Sequence, residues 1–255
     1  FRALSFQMQG SLLNSYGIET IAGYHPLASR KYLAFWQKMV EPWRQSPGWP
    51  KSHNRGKANM STSLLPSTQA GLGSQRTDLR GQWQLADFVN MNMLSMINGG
   101  YIVSRDKLTD DQLILVSGPD HSWSDLSQKD KILTNLAANF SAKRPIFIYK
   151  NPSALPRAYT VDQVRGFNSD AELLTALGTA DNVTLAHTVF TDTISLQTSE
   201  KLSRPEVLSL QVGNDTLSVE IAASDMPTVL VISNSFSPYW QCRVDGQDSK
   251  LFPAN

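Results

Sequence analysis

From Val207 onward, apolar residues recur at every second position in short runs: Val207 to Val212, Leu217 to Ala222, Val229 to Ser233 and Tyr239 to Val244. Gly213-Asn214-Asp215, Ser224 to Pro227 and Ser235 to Pro238 separate them. A period of two gives an extended strand one apolar face, and turns at this even spacing predict an antiparallel sandwich or meander. Asp245-Gly246 predicts a hairpin, because a two-residue loop needs φ > 0 at both central positions. Its return strand is expected at Ser249 to Phe252. A sheet ending on a fresh hairpin strand would leave an open edge, so further strands are expected beyond it in a longer parent. A start at Phe1, directly in strand-like sequence and without an initiator Met, also suggests a piece of something larger.

The first two hundred residues are mixed. Tyr32, Leu33, Phe35, Trp36, Met39 and Val40 recur at three- and four-residue spacing, which predicts an amphipathic helix capped by Ser29 and stopped by Pro42. Short helices are expected from Leu85 to Ile97, from Asp125 to Phe140 and from Asp170 to Leu177. The last carries Ser169 and Glu172 at capping-box spacing. Strands are expected at Tyr101 to Val103, Leu113 to Val116, Ile146 to Tyr149, Tyr159 to Val164 and Thr184 to Phe190. The expected fold is therefore α+β: a mixed region over 1–200, then a truncated, jelly-roll-like antiparallel β-sandwich over 201–255.

Residues 44–82 differ in kind: rich in Pro, Gly, Ser and Asn, they carry six cations against Asp78 alone, a local balance of +5 within a chain of net charge +1. Either a solvated loop or a contact with anionic headgroups fits that composition. The whole-chain balance does not announce a nucleic-acid partner. Cys242 is the only cysteine, which excludes an internal disulfide and a multi-thiolate metal site. It reads as a small core hydrophobe. No apolar run reaches the roughly 18 residues of a membrane span.

Motifs for chemistry are sparse. His25, His53, His121 and His187 stand in unrelated local contexts, with no HExxH and no calcium loop, so no metal site or other cofactor is expected. No GxSxG elbow is present. Asp120 to Asp125, containing His121 and Trp123, reads as a sugar-contacting loop or as a turn capping the next helix through Ser124 or Asp125. Phe236, Tyr239 and Trp240 around Pro238 read as a sugar-stacking surface or as a plug for the end of the sandwich.

Four blocks in order carry a resemblance. The run Ser233 to Gly246, with Pro253-Ala254-Asn255 after it, resembles a signature of the YfhO family of bacterial polytopic membrane proteins. Gly23-Tyr24-His25-Pro26-Leu27, Asn92-Met93-Leu94 to Tyr101-Ile102-Val103, and Asn151-Pro152 to Leu155-Pro156-Arg157-Ala158-Tyr159 are similar to three other segments of that family. Residues 44–82 have no counterpart, Ser95 stands where an Asn is common, and Ser237-Pro238-Tyr239 replaces a Pro-Gly.

The resemblance implies an extracytoplasmic domain of an integral membrane protein, at the outer face of the bacterial cytoplasmic membrane. Its membrane core would be of the GT-C glycosyltransferase type, using a polyprenyl-phosphate sugar donor. The partners implied are that core and a cell-envelope glycan or lipid-linked sugar, with anionic lipid added through 44–82. The catalytic acid of such proteins lies on the membrane part, so no catalytic residue is carried over and the fragment is expected to do no chemistry alone. Tyr24, His25, His121, Trp123 and Arg157 are the expected substrate contacts, Arg157 alternatively locking a strand through an ion pair. The competing readings are a secreted carbohydrate-binding or glycoside-hydrolase domain, and a structural, partner-docking domain.

Overall fold

The structure is a computed structural model and describes residues 2–6, 18–21, 30–42, 84–104, 106–120, 126–130, 146–192, 201–234 and 236–254. It is α+β. Chain contacts group 1–95 with 99–154 in one unit, and 96–98 with 155–255 in a second.

The first unit is built on a four-stranded sheet. Strands β1 (Arg2–Phe6), β2 (Gly99–Ser104), β3 (Ile114–Ser117) and β4 (Phe147–Lys150) lie in the order β1-β2-β4-β3. β1 runs parallel to β2, while β4 is antiparallel to both β2 and β3. The central strand β2 is buried at every position but Tyr101, as a strand covered on both faces must be. β3 is exposed throughout. Helix α1 (Arg30–Met39) buries Phe35, Trp36 and Met39, with Val40 just beyond it, and exposes Lys31 and Gln37, as its apolar stripe requires.

The single helix expected over Leu85 to Ile97 is two pieces: a 3-10 turn (Leu85–Asp87) and α2 (Met91–Met96). Asn90 divides them. Its Oδ1 accepts from Asn92 N and Met93 N at 3.1 Å, an N-cap that restarts the helix. The Asp110 carboxylate accepts from Leu85 N at 2.6 Å and Ala86 N at 3.1 Å, satisfying the free amides of the 3-10 turn. After α2, Asn98 takes φ 63°, and Gly99 opens β2. A Cβ on Gly99 would lie 2.6 Å from Leu94 Cδ1 and 2.7 Å from the Leu94 carbonyl oxygen. Backbone cannot yield as a flexible side chain does, so Gly99→Ala should cost about 1–3 kcal/mol. Urea unfolding checks this, and an unchanged midpoint would refute the close approach.

The helix expected from Asp125 begins later: Ser127 Oγ accepts from Asp130 N at 3.1 Å and helical residues follow from 128. Its body, the proposed Ser29 cap and the whole of 44–82 lie outside the described residues.

In the second unit the run expected as one strand, Tyr159 to Val164, is two strands that change partners at Asp162. β5 (Ala158–Val161) pairs antiparallel with β10 (Val229–Ile232), and β6 (Gln163–Gly166) pairs parallel with β7 (Thr188–Thr191). Between β6 and β7 run α3 (Asp170–Thr179) and α4 (Asn182–His187). The strand expected at Thr184 to Phe190 is therefore half helix. Asp181 Oδ1 accepts from Thr184 N at 2.7 Å and starts a helical turn that holds to His187, overriding the β-branched Val183 and Thr184. Ser169 caps α3 as expected, while Glu172 Oε2 accepts from Asn168 N rather than from the cap residue itself.

Tyr159, Val161, Val189 and Val231 form the core of this unit with Leu155, Val164 and Val229 packed on it. The remaining strands form two separate hairpins, β8 (Val207–Val212) with β9 (Leu217–Ile221), and β11 (Cys242–Val244) with β12 (Gln247–Ser249). Asp245 at φ 51° and Gly246 at φ 80° make the expected two-residue loop, and the return strand starts at Gln247. Cys242 is free and only half-buried, so it is not a core residue. Tyr239 is 91% exposed and Phe236 48%, so neither plugs an end of the structure.

Hydrogen bonding to the Thr184 amide and hydroxyl holds the Asp181 carboxyl below its usual value. A lowered folded value stabilises above the unfolded value of 3.8, and that stabilisation is lost as the pH falls below it. Asp181→Asn keeps the cap acceptor without the titration. Acid unfolding of that variant should therefore lack the corresponding steepening, as followed by circular dichroism.

Candidate functional site

Of the expected contact residues, Tyr24, His25, His121 and Trp123 lie outside the described residues. Arg157 lies within them, half-buried and immediately before β5, its carbonyl accepting from Ser233 N at 2.8 Å.

A different constellation forms where β5 becomes β6. Changing partners at Asp162 leaves its side chain at the seam. Asp162 N donates to the His187 carbonyl at 3.2 Å, which sets the end of α4 beside it. The two side chains then meet: Asp162 Oδ2 lies 3.2 Å from His187 Nδ1, at side-chain exposures of 35% and 41%. The imidazole stands on the last residue of a helix, where the free carbonyls favour positive charge. Asp162 Oδ1 is buried with no hydrogen-bond partner among the described residues. A buried acceptor left unmade costs about 1–3 kcal/mol, so this is an expensive arrangement to retain.

Arg204 completes the group. Buried Leu202 and the bridge from Ser203 to Thr228 fix the segment before β8. Arg204 Nε donates to the Thr160 carbonyl at 3.2 Å, and Thr160 Oγ1 donates to the Pro205 carbonyl at 2.7 Å. This places Arg204 Nη1 2.7 Å from His187 Nδ1 and 2.8 Å from Nε2. Asp162 and Arg204 thus both contact the imidazole. The chemistry available is that of a carboxylate-oriented histidine beside a cation. Among the described residues no hydroxyl or thiol hydrogen-bonds the imidazole, so none of them makes a nucleophilic triad with it.

Sequence reasoning missed this group because its members are 25 and 17 residues apart and form no motif. His187 was expected in a strand, which hides its place at a helix end. Only the partner change at Asp162 carries the information, and it depends on the distant strand β10.

A shallow depression on α3 is lined by Ala171, Glu172, Thr175 and Ala176. Its single carboxylate, Glu172, is engaged in the helix cap. It does not offer the two carboxylates, set about 5 or 6.5–9.5 Å apart, that glycoside hydrolysis needs. Among the described residues no group of three or more His, Cys, Asp or Glu is placed to hold a metal ion, and no helix is long and apolar enough to cross a membrane.

Comparisons of the chain with protein families, with curated proteins and with solved structures find no match.

Proposed function

We propose that the chain is an extracytoplasmic domain of a YfhO-like, GT-C-type membrane protein. It binds or orients a cell-envelope glycan or lipid-linked sugar and is not catalytic by itself. The observation that carries this reading is a meeting in space of two of the four resembling blocks. Asn151, from the Asn-Pro block, donates through Nδ2 to Ser95 Oγ and to the Gly99 carbonyl, both at 3.0 Å, and its own N–H donates to the Gly100 carbonyl at 2.9 Å. Ser95 and Gly99 belong to the Asn-Met-Leu to Tyr-Ile-Val block, so two segments about fifty residues apart are parts of one buried lock. Blocks that fit together physically are the kind that recur together in a family. Ser95 in place of an Asn fits the same lock, since its hydroxyl accepts from Asn151 and donates to Met91 O at 2.8 Å.

The two C-terminal hairpins belong, in this reading, to an antiparallel jelly-roll-like sandwich. Support comes from β9, where Leu217, Val219 and Ile221 alternate half-buried with exposed Ser218 and Glu220. Titration calorimetry with solubilised envelope glycan, and with a short-chain polyprenyl-phosphate sugar, tests the proposal. Saturable binding of either without turnover is expected. Turnover by the fragment would favour the hydrolase reading, and absence of binding to both would favour a structural, partner-docking domain.

A further inference from the structure

We propose that the free edge of β3 docks an extended segment of another protein, apolar at its centre and basic at its ends, which joins the four-stranded sheet as an added strand. This goes beyond the glycan reading and stands without it.

Three observations converge. β3 ends the sheet order β1-β2-β4-β3 and pairs with β4 on one side. Outside that ladder, its backbone groups make no hydrogen bond among the described residues. Its side chains are also uncovered: Ile114 is 54% exposed, Leu115 46% and Val116 56%. Ile114 and Leu115 point to opposite faces, so the sheet is bare on both sides at β3, where β2 is buried on both. An edge is commonly blunted by a Lys or a Pro within it, and Ile114–Ser117 holds neither. The third observation is charge. From Leu108 to Asp120 the chain carries Asp110, Asp111 and Asp120 and no cation. The Asp110 carboxylate is engaged by Leu85 N and Ala86 N, while Asp111 and Asp120 are exposed and bracket the strand. Lys150, opposite Ile114 on β4, is two strand spacings, about 10 Å, from the place of an added strand.

These features choose the occupant. Main-chain pairing gives an edge affinity for extended chain, and bare apolar side chains on both faces select apolar residues at the centre of that chain. Carboxylates beyond both ends of the strand select Lys or Arg at its ends. A second copy of this chain fails the last requirement. Setting Ile114 to Ser117 antiparallel to itself places Asp111 opposite Asp120 at both ends, and like charges directly opposite repel. The bulge between Leu115 and Ser117 bends the edge, which restricts it to a strand that follows the bend and works against indiscriminate sheet growth.

The probe is a random dodecapeptide library displayed on phage and selected against the 255-residue chain. Recovered sequences should hold β-branched or aromatic residues at the centre and Lys or Arg at the ends. A synthetic peptide of that consensus should protect the β3 amides from hydrogen exchange and lose affinity as salt rises from about 0.05 to about 0.5 M. Changing its Lys and Arg to Gln should weaken it about three- to tenfold. On the protein side, Ile114→Lys should weaken the peptide about tenfold or more, since a charge on the edge opposes strand addition. Asp111→Asn combined with Asp120→Asn should weaken it about three- to tenfold and remove most of the salt dependence. Both aspartates lie outside the strand, so this pair carries the test should the Lys form fail to fold.

Enrichment of acidic peptides or of none, protection elsewhere than at β3, or equal affinity in the folded variants and the parent chain would overturn the proposal. A dimer of the parent chain in sedimentation, with its β3 amides protected, would overturn it too, because the edge would then belong to a second copy.

Discussion

Replacing Asn151 by alanine should lower the unfolding free energy by about 3 kcal/mol or more, a loss far beyond the few tenths usual for a surface change. Asn151 is 3% exposed, and its side chain makes three bonds: to Ser95 Oγ, to the Gly99 carbonyl, and from Ser153 N to its Oδ1 at 3.1 Å. Alanine removes all three and leaves the Gly99 carbonyl and the Ser95 hydroxyl each short of a donor in a buried place. Ser95→Ala removes only one of these bonds and should cost about 1 kcal/mol, with a coupling between the two positions of about 0.5 kcal/mol or more in a double-mutant cycle. Pro152, the exposed neighbour, is the control, and Pro152→Ala should stay within about 0.5 kcal/mol. Urea unfolding followed by tryptophan fluorescence gives all four values. A loss at Asn151 no larger than at Pro152 would dissolve the lock and, with it, the main support for reading the two blocks as one family feature.

Phe190→Ala should destabilise by about 3–5 kcal/mol, the largest single effect expected in the second unit. The ring is 1% exposed and stacks on Phe167 at 5.7 Å with 14° between the planes, while Arg165 lies 5.4 Å over the Phe167 ring. Removing Phe190 therefore empties a buried volume and uncovers the inner face of Phe167. Phe190→Leu fills most of that volume and should recover more than half of the loss. Near-ultraviolet circular dichroism during guanidinium unfolding reports both variants directly, because they change aromatic packing. Equal stability of Phe190→Ala and the parent chain would mean that the ring does not pack as described.

Much of the fold was legible locally. The stripe on α1, the strands β2, β8, β9 and β10, the Ser169 cap and the Asp245-Gly246 loop all follow from periodicity and turn chemistry within a dozen residues. The misreadings share a cause. Asn90 and Asp181 each offer a side-chain acceptor to amides two or three residues on, and such a cap can start or divide a helix inside a run whose apolar pattern says otherwise. Phe236 and Tyr239 point away from the expected plug for a related reason: a turn in which Trp240 N donates to the Ser237 carbonyl at 3.1 Å carries Tyr239 outward at its tip, and Trp240 is the half-buried ring of the three.

The candidate site was not legible at all. Asp162, His187 and Arg204 carry no spacing signal, and no local rule announces that a strand will change partners at an aspartate.

What the sequence determined by itself is the set of elements and their turns, since period, capping and left-handed loop positions are properties of neighbouring residues. What the tertiary structure decided is which strands pair and which polar groups meet. β10 chooses β5, and β7 takes β6; Asp162 is left at the seam, where it finds a histidine and, through it, an arginine from a third segment. Pairing between strands some seventy residues apart is settled by burial of Tyr159, Val161, Val189 and Val231 together, a sum over the whole unit that no local window contains.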